Sequence, residues 1–228
     1  MNKGKLYIVA TPIGNLGDIT YRAVDILKSV PFVLAEDTRE SKKLFNRYEI
    51  KTQLISYRDQ NHERMIEKIL EKLNMGFSLA LISDCGTPLI SDPGYKLVRQ
   101  LRVLGYDIES IPGPSAVVAG LSISGLATDK FTFLGFLPKT DSKREKLLEL
   151  HGNLDATIVI YESPHRLIKL LEVIVEVLGD RKIAVAKDLT KLREDFYFGS
   201  VKEVLEELRN NGFEENPHGE FVVMVEGN

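Results

Sequence analysis

The chain lacks the short motifs that identify several common enzyme classes. Its 228 residues contain no G-x-G-x-x-G, no G-K-[ST], no G-x-S-x-G and no H-E-x-x-H sequence. A Rossmann dinucleotide site therefore loses its main support, and a P-loop, a nucleophile elbow and a zincin helix are excluded. The single cysteine, Cys85, also excludes an internal disulfide and any zinc site built from several cysteines.

The chain also lacks an excess of positive charge and a long apolar run. With 30 Lys and Arg against 33 Asp and Glu, the net charge is −3, so any nucleic-acid binding must use a local basic patch. No apolar stretch approaches membrane-spanning length, and Pro12 interrupts the first one too early for a signal peptide. The lack of a spanning stretch predicts no membrane contact, and the single cysteine indicates a cytoplasmic location. The four histidines are too scattered to propose a metal site.

Three loops rich in glycine and proline each follow an apolar run. They are Ala10–Asp18, Ser83–Gly94 and Ile111–Ala116. Glycine allows the backbone to approach a ligand closely, and proline restricts the turn that holds it there. Loops that follow the strands of one open α/β sheet lie at one edge, where such sheets bind ligands. The sequence therefore predicts a ligand crevice.

Strand and helix patterns alternate along the chain, which predicts an α/β protein. The character changes after Gly125, and we place a domain boundary near Ala127–Asp129, giving domains 1–127 and 128–228. Lys139–Arg144 is predicted to be a basic loop, with Lys139, Lys143, Arg144 and Lys146 on a solvated face, and phosphate binding by these residues is the alternative. Asn210–Pro217 is predicted to be a mobile surface loop.

Six segments occur in an order and at spacings that resemble one family. They are ATPIGNLGDIT, AEDTR, SDCGTPLISDPGY, IPGPSA, YESPHRL and DLTKLRED. Together they resemble the RsmI family of ribosomal RNA methyltransferases, within the tetrapyrrole methylase superfamily (class III SAM-dependent methyltransferases). The resemblance implies two α/β domains of the tetrapyrrole methylase type, with the S-adenosyl-L-methionine (SAM) site in the interdomain cleft. It also implies methyl transfer to the ribose 2′-hydroxyl of a cytidine in the decoding region of 16S rRNA.

The resemblance also implies the residues that bind SAM. The first domain supplies residues from its three loops, and the second supplies residues at the ends of its strands. The implied set is Ala10, Pro12, Gly14, Asp84, Gly86, Thr87, Ser115, Ala116, Tyr161, Glu162, Ala186, Gly219, Glu220 and Phe221. This chain departs from the family pattern at Cys85, Asp188 and Arg193, where alanine, glutamate and histidine are expected.

Methyl transfer to a ribose hydroxyl is helped by a base or a nearby cation. The candidates for catalysis or substrate contact are Glu36, Asp37, Arg39, Glu162, His165 and Lys191, with Arg166 and Glu194 as further charged neighbours. Simpler structural roles compete: Asp37 or Thr38 can cap a helix, Glu162 can pair with Arg166 four residues on, and Asp84 can stabilise its own turn.

Two other functions stay open on the residues alone. One is a small-molecule methylase that acts on a tetrapyrrole, although AEDTR and YESPHRL resemble the rRNA branch. The other is a non-catalytic RNA-binding or ribosome assembly protein that retains the fold. The resemblance implies a homodimer that acts on 16S rRNA in the small ribosomal subunit, with Arg39, Lys42 and Lys43 as basic residues available for RNA.

Overall fold

A computed structural model describes residues 3–228 and divides into two compact units. The first unit ends at Ser115 and the second comprises Ala116–Asn228. Each unit contains one five-stranded sheet. The α/β class and the presence of two α/β domains are thereby confirmed.

The first unit is a parallel sheet whose strands alternate with helices. The strand order is β3-β2-β4-β1-β5, and every neighbouring pair is parallel. Its elements are β1 (Leu6–Val9), α1 (Tyr21–Ser29), β2 (Phe32–Ala35), α2 (Thr38–Arg47), β3 (Gln53–Ser56), α3 (His62–Asn74), β4 (Leu79–Ile82), α4 (Tyr95–Val103) and β5 (Ile108–Ile111). Thr20 caps α1 by accepting from the backbone N–H of Ala23.

Helices cover both faces of this sheet. One core cluster contains Leu27 of α1 and Phe45 of α2, and the other contains Leu73 of α3 and Leu101 of α4. Strands buried on both faces are apolar throughout, as in β4, where all four residues are buried. The polar groups of this unit that can meet a ligand are therefore concentrated in the loops at the sheet edges.

The second unit is a mixed sheet in the order β6-β7-β10-β8-β9, in which only β6 and β7 are parallel. Its elements are α5 (Ala116–Ile123), β6 (Phe131–Phe136), α6 (Asp141–Gly152), β7 (Thr157–Glu162), α7 (Pro164–Leu178), β8 (Lys182–Lys187), β9 (Asp195–Ser200), α8 (Val201–Asn210) and β10 (Phe221–Val225). In the described part of the chain, no helix is both long and apolar enough to cross a membrane.

Alternate residues of β10 face different partners. Phe221 and Val223 belong to the core cluster that contains Leu171 of α7 and Leu208 of α8. Met224 instead lies beside Gly120 of α5, where a Cβ atom would stand 3.2 Å from the Met224 sulfur. Since successive side chains of a strand point to opposite faces, α5 covers the face opposite α7 and α8.

Three expectations differ from the structure. The units divide at Ser115 rather than near residue 127, because α5 packs on β10. Most of the predicted basic loop is the start of α6. Arg144 is buried rather than solvated, and its guanidinium donates to the Lys139 carbonyl and pairs with Asp141. Lastly, the segment after α8 is anchored, since the buried Phe213 packs edge-on against Phe221.

The close contact of α5 with β10 leads to a stability prediction. Gly120→Leu should lower the free energy of unfolding by about 1–3 kcal/mol, because the new side chain must displace Met224 or Val222. Ser122→Leu, an exposed change on the same helix, is the control and should stay within about 0.5 kcal/mol of the wild type. Urea unfolding measures both, and equal effects of the two changes would contradict this packing.

Candidate functional site

The three glycine- and proline-rich loops lie at one edge of the first sheet. Strands β4, β1 and β5 are adjacent and parallel, so the loops that follow their carboxyl ends are neighbours. The segment Glu36–Asp37, which follows β2, joins the same edge because β2 pairs with β4. The sequence-based expectation that these loops gather is therefore confirmed within this unit.

Hydrogen bonds connect the three loops. The backbone N–H of Thr11 donates to the Gly86 carbonyl (2.9 Å), and the N–H of Gly86 donates back to the Thr11 carbonyl (3.1 Å). The Thr87 hydroxyl donates to the Pro114 carbonyl across 3.0 Å. Polar groups of the predicted cofactor loops are thus fixed by one another.

Two glycines allow the loops to pack closely against one another. Gly86 has a φ of +76°, and a Cβ there would stand 3.3 Å from Ile13. At Gly113, a Cβ would stand 3.0 Å from the Cβ of Ala10. Contacts between loops are therefore a second reason for glycine at these positions, in addition to close approach of a ligand.

Asp37 and Asp84 link the β2 and β4 loops. The Asp37 N–H donates to an Asp84 carboxylate oxygen across 2.9 Å, so Asp84 stabilises a neighbouring loop rather than only its own turn. Asp37 caps α2 by accepting from the Arg39 N–H (2.8 Å), and its carboxylate also accepts two bonds from the Arg39 guanidinium. The hydrogen bonds from Arg39 lower the pKa of Asp37, so this carboxylate stays ionised.

Glu36 and Asp92 are carboxyl groups whose surroundings favour the protonated form. Partial burial raises the pKa of Glu36, and the negative charge of Asp84 adds to this effect. Burial raises the pKa of Asp92 to about 6, although a hydrogen bond from Ser83 opposes the shift. Groups with such shifts, gathered at a loop edge, are candidates for proton transfer.

The other predicted residues of the first unit lie at the same edge with different exposure. Ala10 and Pro12 are buried, whereas Gly14 and the Asp84 side chain are exposed, and Ser115 is intermediate. Arg39 projects into solvent, since 86% of its side chain is exposed even though it pairs with Asp37.

Four predicted residues of the second unit, Tyr161, Glu162, Ala186 and Phe221, fall in two rows across its sheet. Tyr161, Val222 and Ala186 are paired across β7, β10 and β8, and Glu162, Phe221 and Lys187 form the next row. The Phe221 side chain lies in the apolar core and Ala186 is fully buried.

Glu162 is fully buried and forms the local ion pair that the sequence suggested. Its carboxylate lies 3.3 Å from the Arg166 guanidinium and accepts from the Ser163 N–H across 2.8 Å. His165 is exposed at the start of α7, where Pro164 occupies the first turn. The buried pair gives Glu162 a structural role, and its part in catalysis stays a prediction.

Lys191 connects two segments that the sequence separates. Its ammonium lies 2.8 Å from both an Asp188 and a Glu220 carboxylate oxygen. Burial opposes the shift, but these two hydrogen bonds raise the pKa of Lys191. Gly219, with a φ of +106°, lets the second segment approach, because a Cβ there would stand 2.9 Å from Asp188. Lys191 and Glu220 are therefore partners rather than separate contacts.

Sequence reasoning missed several residues near these sites. The Arg58 guanidinium donates to the Glu36 carbonyl across 3.1 Å, and the buried Lys187 lies 3.3 Å from His218. In the sequence, Asp92 is marked only by its place in the segment SDPGY, within the second glycine- and proline-rich loop. Over residues 3–228, no three His, Cys, Asp or Glu side chains are placed to hold a metal ion.

The raised pKa of Asp92 leads to a prediction about stability. Because the folded protein holds this proton more tightly than the unfolded chain, whose aspartate pKa is about 3.9, ionisation costs stability as pH rises from about 4 to about 6. The change in the free energy of unfolding caused by Asp92→Asn should therefore be more favourable at pH 7 than at pH 4. Denaturant unfolding at both pH values measures this, with Asp25→Asn on α1 as the control for losing one charge. An equal rise in the two variants would argue against a special environment at Asp92.

Comparisons with known proteins place this geometry in a family. Residues 5–205 match the model of the Tetrapyrrole (Corrin/Porphyrin) Methylases. The ribosomal RNA small subunit methyltransferase I of Halalkalibacterium halodurans is 44% identical over 227 residues, covering 100% of this chain and 77% of the relative. The protein of the same name from Thermotoga maritima is 42% identical over 224 residues, covering 98% of this chain and 99% of the relative.

Solved structures share the fold at low sequence identity. A diphthine synthase superposes with a TM-score of 0.75 at 13% identity, covering 98% of this chain and 90% of that chain. The uroporphyrin-III-C-methyltransferase from Thermus thermophilus superposes with a TM-score of 0.62 at 20% identity, covering 98% and 92%. Both likenesses concern the fold alone.

These findings confirm the resemblance on which the sequence analysis relied. Methyltransferases of the matched family use SAM, which agrees with the predicted cofactor. The match to the small subunit enzymes extends over nearly the whole chain and includes every loop described above. The chain belongs to the tetrapyrrole methylase family and, within it, to the ribosomal RNA small subunit methyltransferase I group.

Proposed function

We propose that this chain transfers a methyl group from SAM to the ribose 2′-hydroxyl of a cytidine in the decoding region of 16S rRNA. The observation that carries the proposal is identity of 42–45% to several proteins named ribosomal RNA small subunit methyltransferase I. The structure adds support, because the segments AEDTR and SDCGTP lie together at one loop edge. We infer a cytoplasmic homodimer that acts on the small ribosomal subunit.

The loop edge of the first unit has chemistry that suits SAM. The exposed carboxylate of Asp84 offers an acceptor for the ammonium or the ribose hydroxyls of the cofactor. The exposed backbone of Gly113 and the partly exposed hydroxyls of Thr87 and Ser115 offer further polar groups. Buried Ala10 packs against Gly113 and limits the space beside it. We therefore assign SAM contacts to Ala10, Pro12, Gly14, Asp84, Gly86, Thr87 and Ser115.

The second unit supplies the remaining proposed contacts. Tyr161 and Ala186 lie on one row of the sheet, and Gly219–Phe221 leads into β10 beside them. Glu162 forms an ion pair with Arg166, and Ala116 is the first residue of α5. We propose that these residues contact SAM mainly through backbone groups, because Ala186 and Phe221 have buried side chains.

Bound SAM supplies an electrophilic methyl group on a sulfonium. The protein must hold the ribose hydroxyl in line and accept its proton, and alignment of this kind contributes up to roughly 7–11 kcal/mol in favourable cases. Glu36 suits the role of proton acceptor, because partial burial raises its pKa and makes its carboxylate a stronger base. Arg39, held by Asp37, and the exposed Arg58 place positive charge beside it for a phosphate or the developing oxyanion.

The assignment of Glu36 gives a prediction for activity. Glu36→Gln should lower kcat by roughly 10²–10⁴-fold, the usual contribution of a general base, while SAM affinity stays unchanged. The wild-type rate should fall as pH falls through the raised pKa of Glu36, and the variant should lose this acidic limb. Transfer of labelled methyl from SAM to purified small subunits, followed by nucleoside analysis for 2′-O-methylcytidine, measures both effects.

Glu40→Gln, an exposed change on α2, is the matched control and should keep wild-type activity. Label on a base or on a tetrapyrrole, with none on ribose, would refute the proposed function. Normal activity of Glu36→Gln would refute only the role of Glu36.

Assembled subunits should also be better substrates than free 16S rRNA, because the folded particle presents the strand with its bases unstacked.

The SAM assignment gives a separate prediction. Asp84→Ala should weaken SAM binding, because it removes an acceptor and the partner of the Asp37 N–H. Ser115→Leu should weaken it through bulk at the end of the third loop. Isothermal titration calorimetry measures the affinity, and the wild type should bind one SAM per chain. Unchanged affinity in both variants would exclude this loop edge as the cofactor site.

A further inference from the structure

Three aromatic rings form a row on the second sheet. The ring of Tyr161 on β7 lies between two phenylalanines of β6, with centroids 4.8 Å from Phe133 and 5.7 Å from Phe136. Both contacts are edge-on, at interplanar angles of 70° and 61°. Phe136 ends the row at the carboxyl end of β6 and is 57% exposed.

An irregularity in β6 creates this row. Phe133 pairs with Val159, Gly135 with Ile160 and Phe136 with Tyr161, so the register shifts between Phe133 and Gly135, and Leu134 is the extra residue. Residues three apart in a regular strand point to opposite faces, and the extra residue of a bulge brings both rings to one face. Gly135 has a φ of +62°, a conformation that glycine adopts readily. The bulge therefore directs Phe136 towards Tyr161 although it leaves the Phe136 ring largely in solvent.

The backbone that follows Phe136 is held firmly. The Arg166 guanidinium donates to the carbonyls of Leu137 (2.8 Å) and Pro138 (3.3 Å), and Arg144 donates to that of Lys139 (3.2 Å). Buried Glu162 in turn pairs with Arg166. An exposed aromatic ring on a fixed backbone loses little conformational entropy when a planar partner stacks on it.

The charge around Phe136 is complementary to a polyanion. Lys139, Lys143 and Lys146 are exposed on this loop and on the first turns of α6. The acids there are Asp141, which already pairs with Arg144, and the partly exposed Glu145, so positive charge is in excess. Clustered lysines attract phosphates. They do not favour SAM, whose sulfonium is itself a cation. This contrast selects the nucleic acid over the cofactor as the occupant.

We propose that Phe136 is a stacking platform for one unpaired base of the rRNA strand, with Lys139 beside the adjacent phosphate. The proposal rests on the proposed function and deepens it, because it names a residue that positions the RNA rather than the methyl donor. Aromatic side chains recognise single-stranded RNA in this way, since every unstacked base offers a face to stack on.

The test measures binding of a fluorescein-labelled single-stranded RNA that carries the sequence around the target cytidine. Phe136→Ala should weaken this binding by roughly 5- to 150-fold, the range expected for one stacked base. It should also raise KM for small subunits while SAM affinity stays at the wild-type value. Phe136→Tyr, which keeps the ring, should restore binding. Phe131→Ala is the matched control, because Phe131 lies on the same strand and is 46% exposed but pairs with Thr157 outside the aromatic row.

Abasic nucleotides identify the stacked base. One abasic position should weaken binding to the wild type and cause no further loss with Phe136→Ala, because the two changes remove the same contact. The proposal is overturned if Phe136→Ala weakens SAM binding and leaves RNA binding intact, if it behaves like Phe131→Ala, or if every abasic loss is independent of Phe136. A wild-type protein that binds the RNA through Phe136 but methylates no subunit would refute the proposed function and retain the stacking site.

Discussion

The reciprocal backbone hydrogen bonds between Thr11 and Gly86 are the constraint on which the loop edge depends. They join the loop after β1 to the loop after β4 at distances of 2.9 and 3.1 Å. Gly113 packs against Ala10 from the third loop, so each loop limits the positions of the others. A site built from backbone needs this rigidity, because small displacements of a bound methyl donor would misalign the transfer.

Charge at the same edge is divided between groups with opposite tendencies. Asp37 is kept ionised by Arg39, whereas burial favours the proton on Glu36 and Asp92. These three acids thus have pKa values shifted in opposite directions, which separates a structural carboxylate from candidates for proton transfer. The exposed guanidinium of Arg39 places positive charge at this edge, although the net charge of the chain is −3.

The second sheet uses buried charge to hold exposed groups. Glu162 is fully buried, and its partner Arg166 fixes the carbonyls of Leu137 and Pro138. Breaking such a pair leaves an uncompensated charge in the interior, which is strongly destabilising. A substitution at Glu162 therefore affects the loop after β6 whether or not this carboxylate contacts the cofactor, and the two roles separate only when the cofactor and the fold are measured independently.

The sequence by itself determined the order of strands and helices, the three loops, the family and its cofactor, because these follow from local patterns and from motifs at fixed spacings. Only the tertiary structure decided the burial of Arg144, the environment of Asp92, the place of α5 and the row that exposes Phe136. Arg144 has the local pattern of a solvated basic segment, yet the fold provides it with acceptors from its own loop. The pKa of Asp92 depends on its burial and on Ser83, Glu36 and Asp84. The position of the Phe136 ring depends on a register shift against β7. The environment of Asp92, the place of α5 and the position of Phe136 also depend on neighbours distant in the chain, which no local pattern specifies.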